Sequence, residues 1–399
     1  MSDHAEVPDY IRDSVRALPV LPTAVTRLLS LTQNVEVRLS EIAGVIESDP
    51  ALMARTLRIA NSPLYSTARQ VKTAQQATVL LGTETIVNLA LGVSVMSVQN
   101  SLHEHLPIDA EAFGRHNVAV ALAARKLARR FRLPNPGEAF VVGLLHDIGK
   151  LVLLMHFGEA YAQLMMRAQQ GEKALHALEE ETYDLNHASV GHELCRYWNL
   201  PPSMAEAVAM HHAETIPHSL GDVVSKANTL VKTIQVGNSG NCYITAVQGQ
   251  PKDLKPEGWL RALILNLHEE IGHAEEALGH AAGSGGYTSK KEIVRPLVQL
   301  QITTPEEKVV LMSMLLAMGF EPTDMFDAVT AEGHTHPIAL VTDASPSDRR
   351  RQAYQQLDVS VLDYAVFRKE HGIAATQSID VCRLWAWLST LSDPPNLLS

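Results

Sequence analysis

The sequence predicts a mainly α protein, with an all-helical domain over residues 10–280 and a small α/β domain over residues 290–399. Three observations predict it. Apolar residues up to about residue 278 recur at helical spacing, and nothing between residues 10 and 100 alternates in the manner of a strand. Residues 281–289, AAGSGGYTS, have the composition of a flexible linker. Beyond them, short apolar runs of strand length alternate with helical stretches, which implies a small parallel layer.

Composition sets outer bounds. A chain of 399 residues exceeds one usual domain, and a 46% hydrophobic fraction supplies ample core. The net charge of −11 argues against non-specific attraction to DNA or anionic lipid, so neither direct nucleic-acid binding nor a membrane partner is expected. Cys195, Cys242 and Cys382 lie far apart with no CxxC spacing, which suits a reducing compartment. The polar start MSDHAEVPDYIRD does not read as a signal peptide. The uninterrupted apolar stretches fall short of the roughly 20 residues of a membrane span. The expected location is therefore the cytoplasm. Eighteen histidines point to metal or proton chemistry.

The elements follow in order. Leu18-Pro19-Val20-Leu21-Pro22 predicts an extended lead-in, because residues before proline avoid the helical region. Ser40 is the expected cap of a helix carrying Ile42, Val45 and Ile46. Asp49-Pro50 predicts a helix start, with a capping carboxylate followed by proline at the first helical position. That helix presents Leu52, Thr56, Ile59 and Ala60 on one face and stops at Asn61-Ser62-Pro63. Another ends at Leu81-Gly82, and Thr83 is a candidate cap for the next, through Ile86, Val87, Leu89 and Leu91.

Residues 109–132 predict one long amphipathic helix, with Phe113, Val120, Leu127 and Phe131 at helical spacing and His116 near that face. Its end carries Arg125, Lys126, Arg129, Arg130 and Arg132, cations that suit the C-terminal dipole. Arg125 and Arg129 are also candidate phosphate contacts.

The central stretch is Gly143-Leu144-Leu145-His146-Asp147-Ile148-Gly149-Lys150. A His-Asp pair stands inside an apolar run that reads as a buried helix, and a buried carboxylate needs a metal ion or hydrogen-bond donors. Adjacent helical residues diverge by about 100°, so other elements must close any site around the pair. Glu180, Glu181, His187, Gly191, His192, Trp198, Leu200-Pro201-Pro202 and His211-His212 follow in order. Ser203 is the expected cap of a helix through Met204, Ala207, Val208 and Met210. Residues 222–231 read as a helix, 233–256 as a loop, and 257–278 as a further helix.

The octet resembles the HD superfamily of metal-dependent phosphohydrolases, and the flanking sequence resembles its regulatory HDOD branch. The motifs that carry this are the Leu-Pro-x-Leu-Pro lead-in, Ser-Asp-Pro, Arg58 before Asn61-Ser62, the Leu-Gly turn, His-Ala-x-x-Gly, Trp-x-Leu-Pro and the paired histidines. The resemblance covers about residues 10–235 and more loosely extends to 280, with an HD-like core near 105–235. It implies His116, His146 and Asp147 as metal ligands, with His187, His211 and His212 as the additional set of the HD-GYP phosphodiesterases. Lys150 is a further candidate phosphate contact beside Arg125 and Arg129. The last HD ligand, a carboxylate, falls at Asn228, an amide and a poorer ligand. Asp222 lies about 120° around the same helix and is no substitute. The Gly-Tyr-Pro loop of the HD-GYP enzymes is missing, since Ala-Glu-Thr-Ile-Pro follows His212. His156 and His192 are read as structural.

After the linker, 296–302, 337–343 and 359–362 predict strands, with helices at 304–319, 348–356 and 381–391. This layer faintly resembles a response-regulator receiver with Asp343 at the phosphoacceptor position. Ile302-Thr303-Thr304 stands where the acidic pair belongs and no clear lysine ends a last strand, so Asp343 reads as a turn residue.

Two functions remain open. One is a bacterial-type signalling module, non-catalytic, that binds protein partners or a nucleotide second messenger, with divalent metal weak or absent. The other is a metal-dependent phosphohydrolase acting on a nucleotide or cyclic dinucleotide.

Overall fold

The computed structural model describes residues 7–32, 38–61, 70–103, 108–169, 173–213, 216–234, 236–240 and 243–244, helical positions between 263 and 271, and the strands named below. By contacts the chain divides into two compact units. The first holds Met1–Val231, Val236–Asn241 and Leu267–Gly286, and the second holds Lys232–Gln235, Cys242–Asn266 and Tyr287–Ser399.

The first unit is helical. It opens with α1 (Asp9–Arg16), then α2 (Thr23–Thr32), α3 (Leu39–Glu47), α4 (Pro50–Ala60), α5 (Ala74–Leu81) and α6 (Thr83–His103). Asp49 starts α4 as its sequence predicts, its Oδ1 accepting from the Ala51 and Leu52 amides at 3.0 Å. Gly82 ends α5 at φ 81°, a left-handed turn that suits glycine. Three expected caps are corrected. Thr83 is the first helical residue of α6, not its cap. Arg38, without a side-chain bond, precedes α3, which places Ser40 inside the helix. Pro201 precedes α13 (Pro202–Ala209), so Ser203 is likewise internal and proline at the first position starts the helix.

Helix α7 (Ala110–Arg130) is capped by Asp109, which accepts from the Ala112 amide. The sequence suggests an amphipathic helix, but Phe113 to Ala128 are buried almost all round, so α7 is the axis of the bundle. The apolar run 136–157 is also corrected. It is two helices, α8 (Pro136–Leu145) and α9 (Ile148–Phe157), broken at His146-Asp147. Together Pro136–Phe157 form a 22-residue segment apolar enough to cross a membrane by length and composition, contrary to the expectation above, yet 83% of its window is buried inside the molecule. Two glycines make the packing possible. A Cβ on Gly143 would lie 2.5 Å from the Ala121 Cα of α7, and one on Gly149 would lie 2.0 Å from the His187 carbonyl oxygen.

The remaining helices are α10 (Glu159–Gln169), α11 (Leu175–Tyr183), α12 (His187–Tyr197), α13 and α14 (Leu220–Thr233). Asn186 caps α12 in a reciprocal box with Ser189. The lead-in and the Trp-x-Leu-Pro motif meet where Trp198 Nε1–H donates to the Pro19 carbonyl at 3.3 Å.

The second unit contains a parallel sheet of β2 (Leu297–Gln301), β3 (Glu321–Thr323), β4 (Ala339–Thr342) and β5 (Ser360–Asp363), in spatial order β3-β2-β4-β5. β2 and β4 fall inside two of the predicted strand stretches, and β5 overlaps the third and runs one residue past it. β3 was not expected, nor was the short antiparallel pair of β1 (Tyr243–Ile244) with β6 (Ile379–Asp380). β1 lies in the stretch read as a loop. The predicted helices at 304–319, 348–356 and 381–391, the linker, Asp343 and most of 257–278 lie outside the described residues.

Candidate metal centre

The break between α8 and α9 is what lets two adjacent residues serve one site. His146 closes α8 in helical conformation, and Asp147 turns out of it at φ −99°, ψ 6°. The Asp147 side chain makes no capping bond to α9. It faces histidines from four other helices or turns. Asp147 Oδ2 lies 3.3 Å from His146 Nε2 and 3.9 Å from His116 Nε2. Its Oδ1 lies 3.3 Å from His187 Nε2 and 3.7 Å from His211 Nε2. His212 joins through His187, their Nε2 atoms 3.0 Å apart. The structure thus brings all six sequence-predicted residues together, and all but His212 are buried.

Backbone carbonyls orient the rings. His146 Nδ1–H donates to Gly143 at 2.8 Å, and His211 Nδ1–H donates to Val208 at 2.7 Å. Each leaves its Nε2 facing Asp147, the usual way a ligating imidazole is held. His146 Nε2, His211 Nε2 and Asp147 Oδ1 make no hydrogen bond among the described residues. Three buried polar atoms converging without hydrogen bonds are the arrangement a cation satisfies. Donor atoms of Asp147, His187, His211 and His212 lie within 4.8 Å of one another, as do those of His116, His146 and Asp147. The donor set fits a divalent ion.

Two features oppose one. Asn228 on α14 reaches the centre as its position predicts, and the His116 Nε2–H donates to its amide oxygen at 3.2 Å. In that tautomer, assigned from the bonding pattern, His116 has no lone pair to offer at Nε2. Lys150 is wholly buried one turn after Asp147, its Nζ donating to Asp147 Oδ2 at 2.7 Å and to the Ser239 carbonyl at 2.8 Å. The sequence offers Lys150 as a candidate phosphate contact; here its ammonium is held by the site's own carboxylate.

Two contributors were missed by sequence reading. Glu179, not the Glu180 or Glu181 singled out, is buried and accepts from the His187 amide at 2.9 Å and the His187 Nδ1–H at 2.6 Å. It also accepts from the Tyr161 hydroxyl. Its position on the apolar face with Leu175 and Leu178 was the available signal. The second is the segment 236–240. Asn238 N–H donates to the Ala112 carbonyl at 2.9 Å, anchoring the loop that delivers Ser239 to Lys150. Gly237, at φ 67°, lies against His116, where a Cβ would sit 2.4 Å from its backbone nitrogen.

The electrostatics follow from burial and neighbours. Burial opposes ionisation of Asp147, but the charges of His146 and Lys150, with the close approach of the His146 and His187 rings, outweigh it and hold the carboxyl well below its ordinary range. Burial disfavours charge on His187 as well, and Glu179 reverses that, raising its pKa. Burial, then His146 and His187, press His211 well below its ordinary value. Burial and Glu179 raise Tyr161. His156 and His192 stay outside the site, His156 bonding Ser14 and His192 lying 3.9 Å from Glu206. Arg125 and Arg129 lie farther along α7, nine and thirteen residues past His116, or about 13 and 20 Å by helix rise.

Comparison with known proteins agrees with this architecture. A family model described as the HDOD domain matches residues 18–214. A crystal structure of an HDOD domain protein of unknown function from Geobacter sulfurreducens is 24% identical with a TM-score of 0.52, covering 68% of this chain and 89% of that one. A protein provisionally named a phosphohydrolase from Shewanella amazonensis is 22% identical with a TM-score of 0.48, covering 78% and 97%. An uncharacterized protein of Treponema pallidum is 26% identical over 214 residues, 52% of this chain and 40% of that one, so the chain spans well under half of that relative's length.

Proposed function

We propose that residues 18–214, matched by the HDOD domain model, work with α14 and the 236–240 loop as a non-catalytic signal-transduction module. The observation that carries this is the pairing of Lys150 with Asp147. A cation competing for that carboxylate must displace an ammonium already bonded to it, and Asn228 supplies no compensating charge. A bound divalent ion would acidify water and polarise a phosphoester oxygen. This chain's residues instead form a closed, self-neutralised cluster that rigidifies the contact of α7, α9, α12 and α14. Protein partners in the cytoplasm are the proposed readers of that state, with a nucleotide second messenger as the proposed small-molecule input.

The competing reading is a metal-dependent phosphohydrolase, favoured by the two convergent donor groups. Metal titration and phosphodiester hydrolysis by the full chain separate them. We expect weak metal binding and no turnover in the natural protein, and tighter metal in Asn228→Asp and in Lys150→Met. Stoichiometric tight metal with turnover in the natural chain would overturn the signalling reading.

The second unit we read as a degenerate receiver-like layer. Its order places the second strand of the parallel set outside the first and the third and fourth on the other side, the arrangement of flavodoxin-like sheets.

A further inference from the structure

The arginines that the sequence grouped with Lys150 line a different cavity. It holds ≈ 160 Å³ between α6, α7 and the start of α8, and its wall includes Thr85, Asn88, Arg125, Arg129, Gly137 and Phe140. Arg125 forms the floor. It is buried, with its guanidinium 5.4 Å from the Phe140 ring centroid. Arg129, one turn on and exposed, stands at the mouth. No carboxylate is among the described lining residues.

We propose that this cavity is an anion site for a phosphate group, apart from the His/Asp centre. Two arginines one turn apart present planar forks that match phosphate oxygens in pairs. The first turn of α8 adds a third donor. Pro136 has no N–H, and the Glu138 N–H donates to the Asn135 side chain at 3.0 Å, which leaves the Gly137 N–H at a helix end that favours negative charge. The Asn88 amide lies against Gly137, where a Cβ would fall 2.3 Å from Asn88 Nδ2, and it donates to Asn135 Oδ1 at 3.3 Å. Glycine at 137 is what lets the amide and the helix end share one wall. Leu89, Phe140, Pro134 and Pro136 supply apolar walls beside these donors. The volume suits the phosphate itself, so the group arrives either as the free ion or as the head of a phosphomonoester whose remainder stays outside.

Calorimetric titration of the full chain with inorganic phosphate, with AMP and with adenosine tests this, at constant ionic strength set by chloride. Binding of phosphate or AMP is expected, with none of adenosine. Comparable affinities for phosphate and AMP identify the free ion as sufficient, and tighter AMP identifies the ester. Arg129→Ala, an exposed substitution that leaves the fold intact by circular dichroism, is expected to weaken binding at least tenfold. Arg125→Lys keeps the charge without the fork and is expected to weaken it as well. Arg196→Ala, at an exposed arginine of α12 that does not line this cavity, is expected to bind as the natural chain does. Absence of binding by both phosphate and AMP overturns the proposal. So does retention of full affinity in Arg129→Ala with loss in Arg196→Ala, which would place the anion elsewhere on the surface.

Discussion

Asp147 holds its charge in a fully buried site because His146 and Lys150 face it, and burial, with His146 and His187 beside it, presses the His211 pKa the other way. That opposition has a pH signature. In the unfolded chain His211 takes up a proton near its ordinary value of 6.5, whereas in the folded chain it resists to well below that. Between those values the unfolded state binds the extra proton, so this contribution to stability is present above pH 6.5 and is lost as pH falls. His187 has the opposite sign. Its raised folded value makes its contribution complete below 6.5 and lost as pH rises through the folded pKa. Urea midpoints from pH 5 to 6.5 should therefore fall toward acid in the natural chain and fall less in His211→Asn. An unchanged slope in that variant would remove His211 from the account. Glu179 is testable separately. Glu179→Gln removes the charge that raises His187, and the His187 imidazole resonance should then titrate at lower pH by NMR.

At the scale of elements, the site exists because α8 and α9 are two helices packed to backbone contact on different neighbours. Gly143 seats α8 on α7, and Gly149 seats α9 on α12. Gly149→Ala drives a methyl into the His187 carbonyl, so α9 and α12 must separate and His187 must leave Asp147. We expect a loss of about 1–3 kcal/mol from overpacking, and weaker metal binding in an Asn228→Asp background. Leu145→Ala, at a wholly buried position just before His146, should cost about 2–5 kcal/mol through the cavity it leaves. A cost under about 0.5 kcal/mol in a denaturant titration, the scale of a surface change, would contradict its place in the core.

For the whole molecule, the second unit draws on residues well before the 281–289 stretch. β1 at Tyr243–Ile244 pairs with β6 at Ile379–Asp380, so a fragment starting at residue 290 lacks the partner of its last described strand. A fragment of residues 242–399 should melt at a higher temperature by circular dichroism than one of 290–399. Equal melting temperatures would show that the β1–β6 ladder contributes nothing to that unit.

The helical class, the start of α4 at Asp49-Pro50, the turn at Gly82 and the strands β2, β4 and β5 were legible because each rests on local chemistry: spacing, capping and backbone preference. The six clustered site residues and Asn228 were legible through motif order, though no local rule places them within reach of one another. Tertiary structure alone decided the rest. Whether 136–157 is one helix or two depends on what Asp147 can bond outside the helix, and that is set by residues far along the chain. The destination of Lys150 depends on the Ser239 carbonyl, 89 residues away. Glu179 outranks its two acidic neighbours only because the face it shares with Leu175 and Leu178 turns inward. Arg125 and Arg129 part from Lys150 because a rigid helix carries them away from His116 along its axis. Local preference sets where an element starts and stops; which charge is buried against which is fixed by contacts between residues distant in sequence.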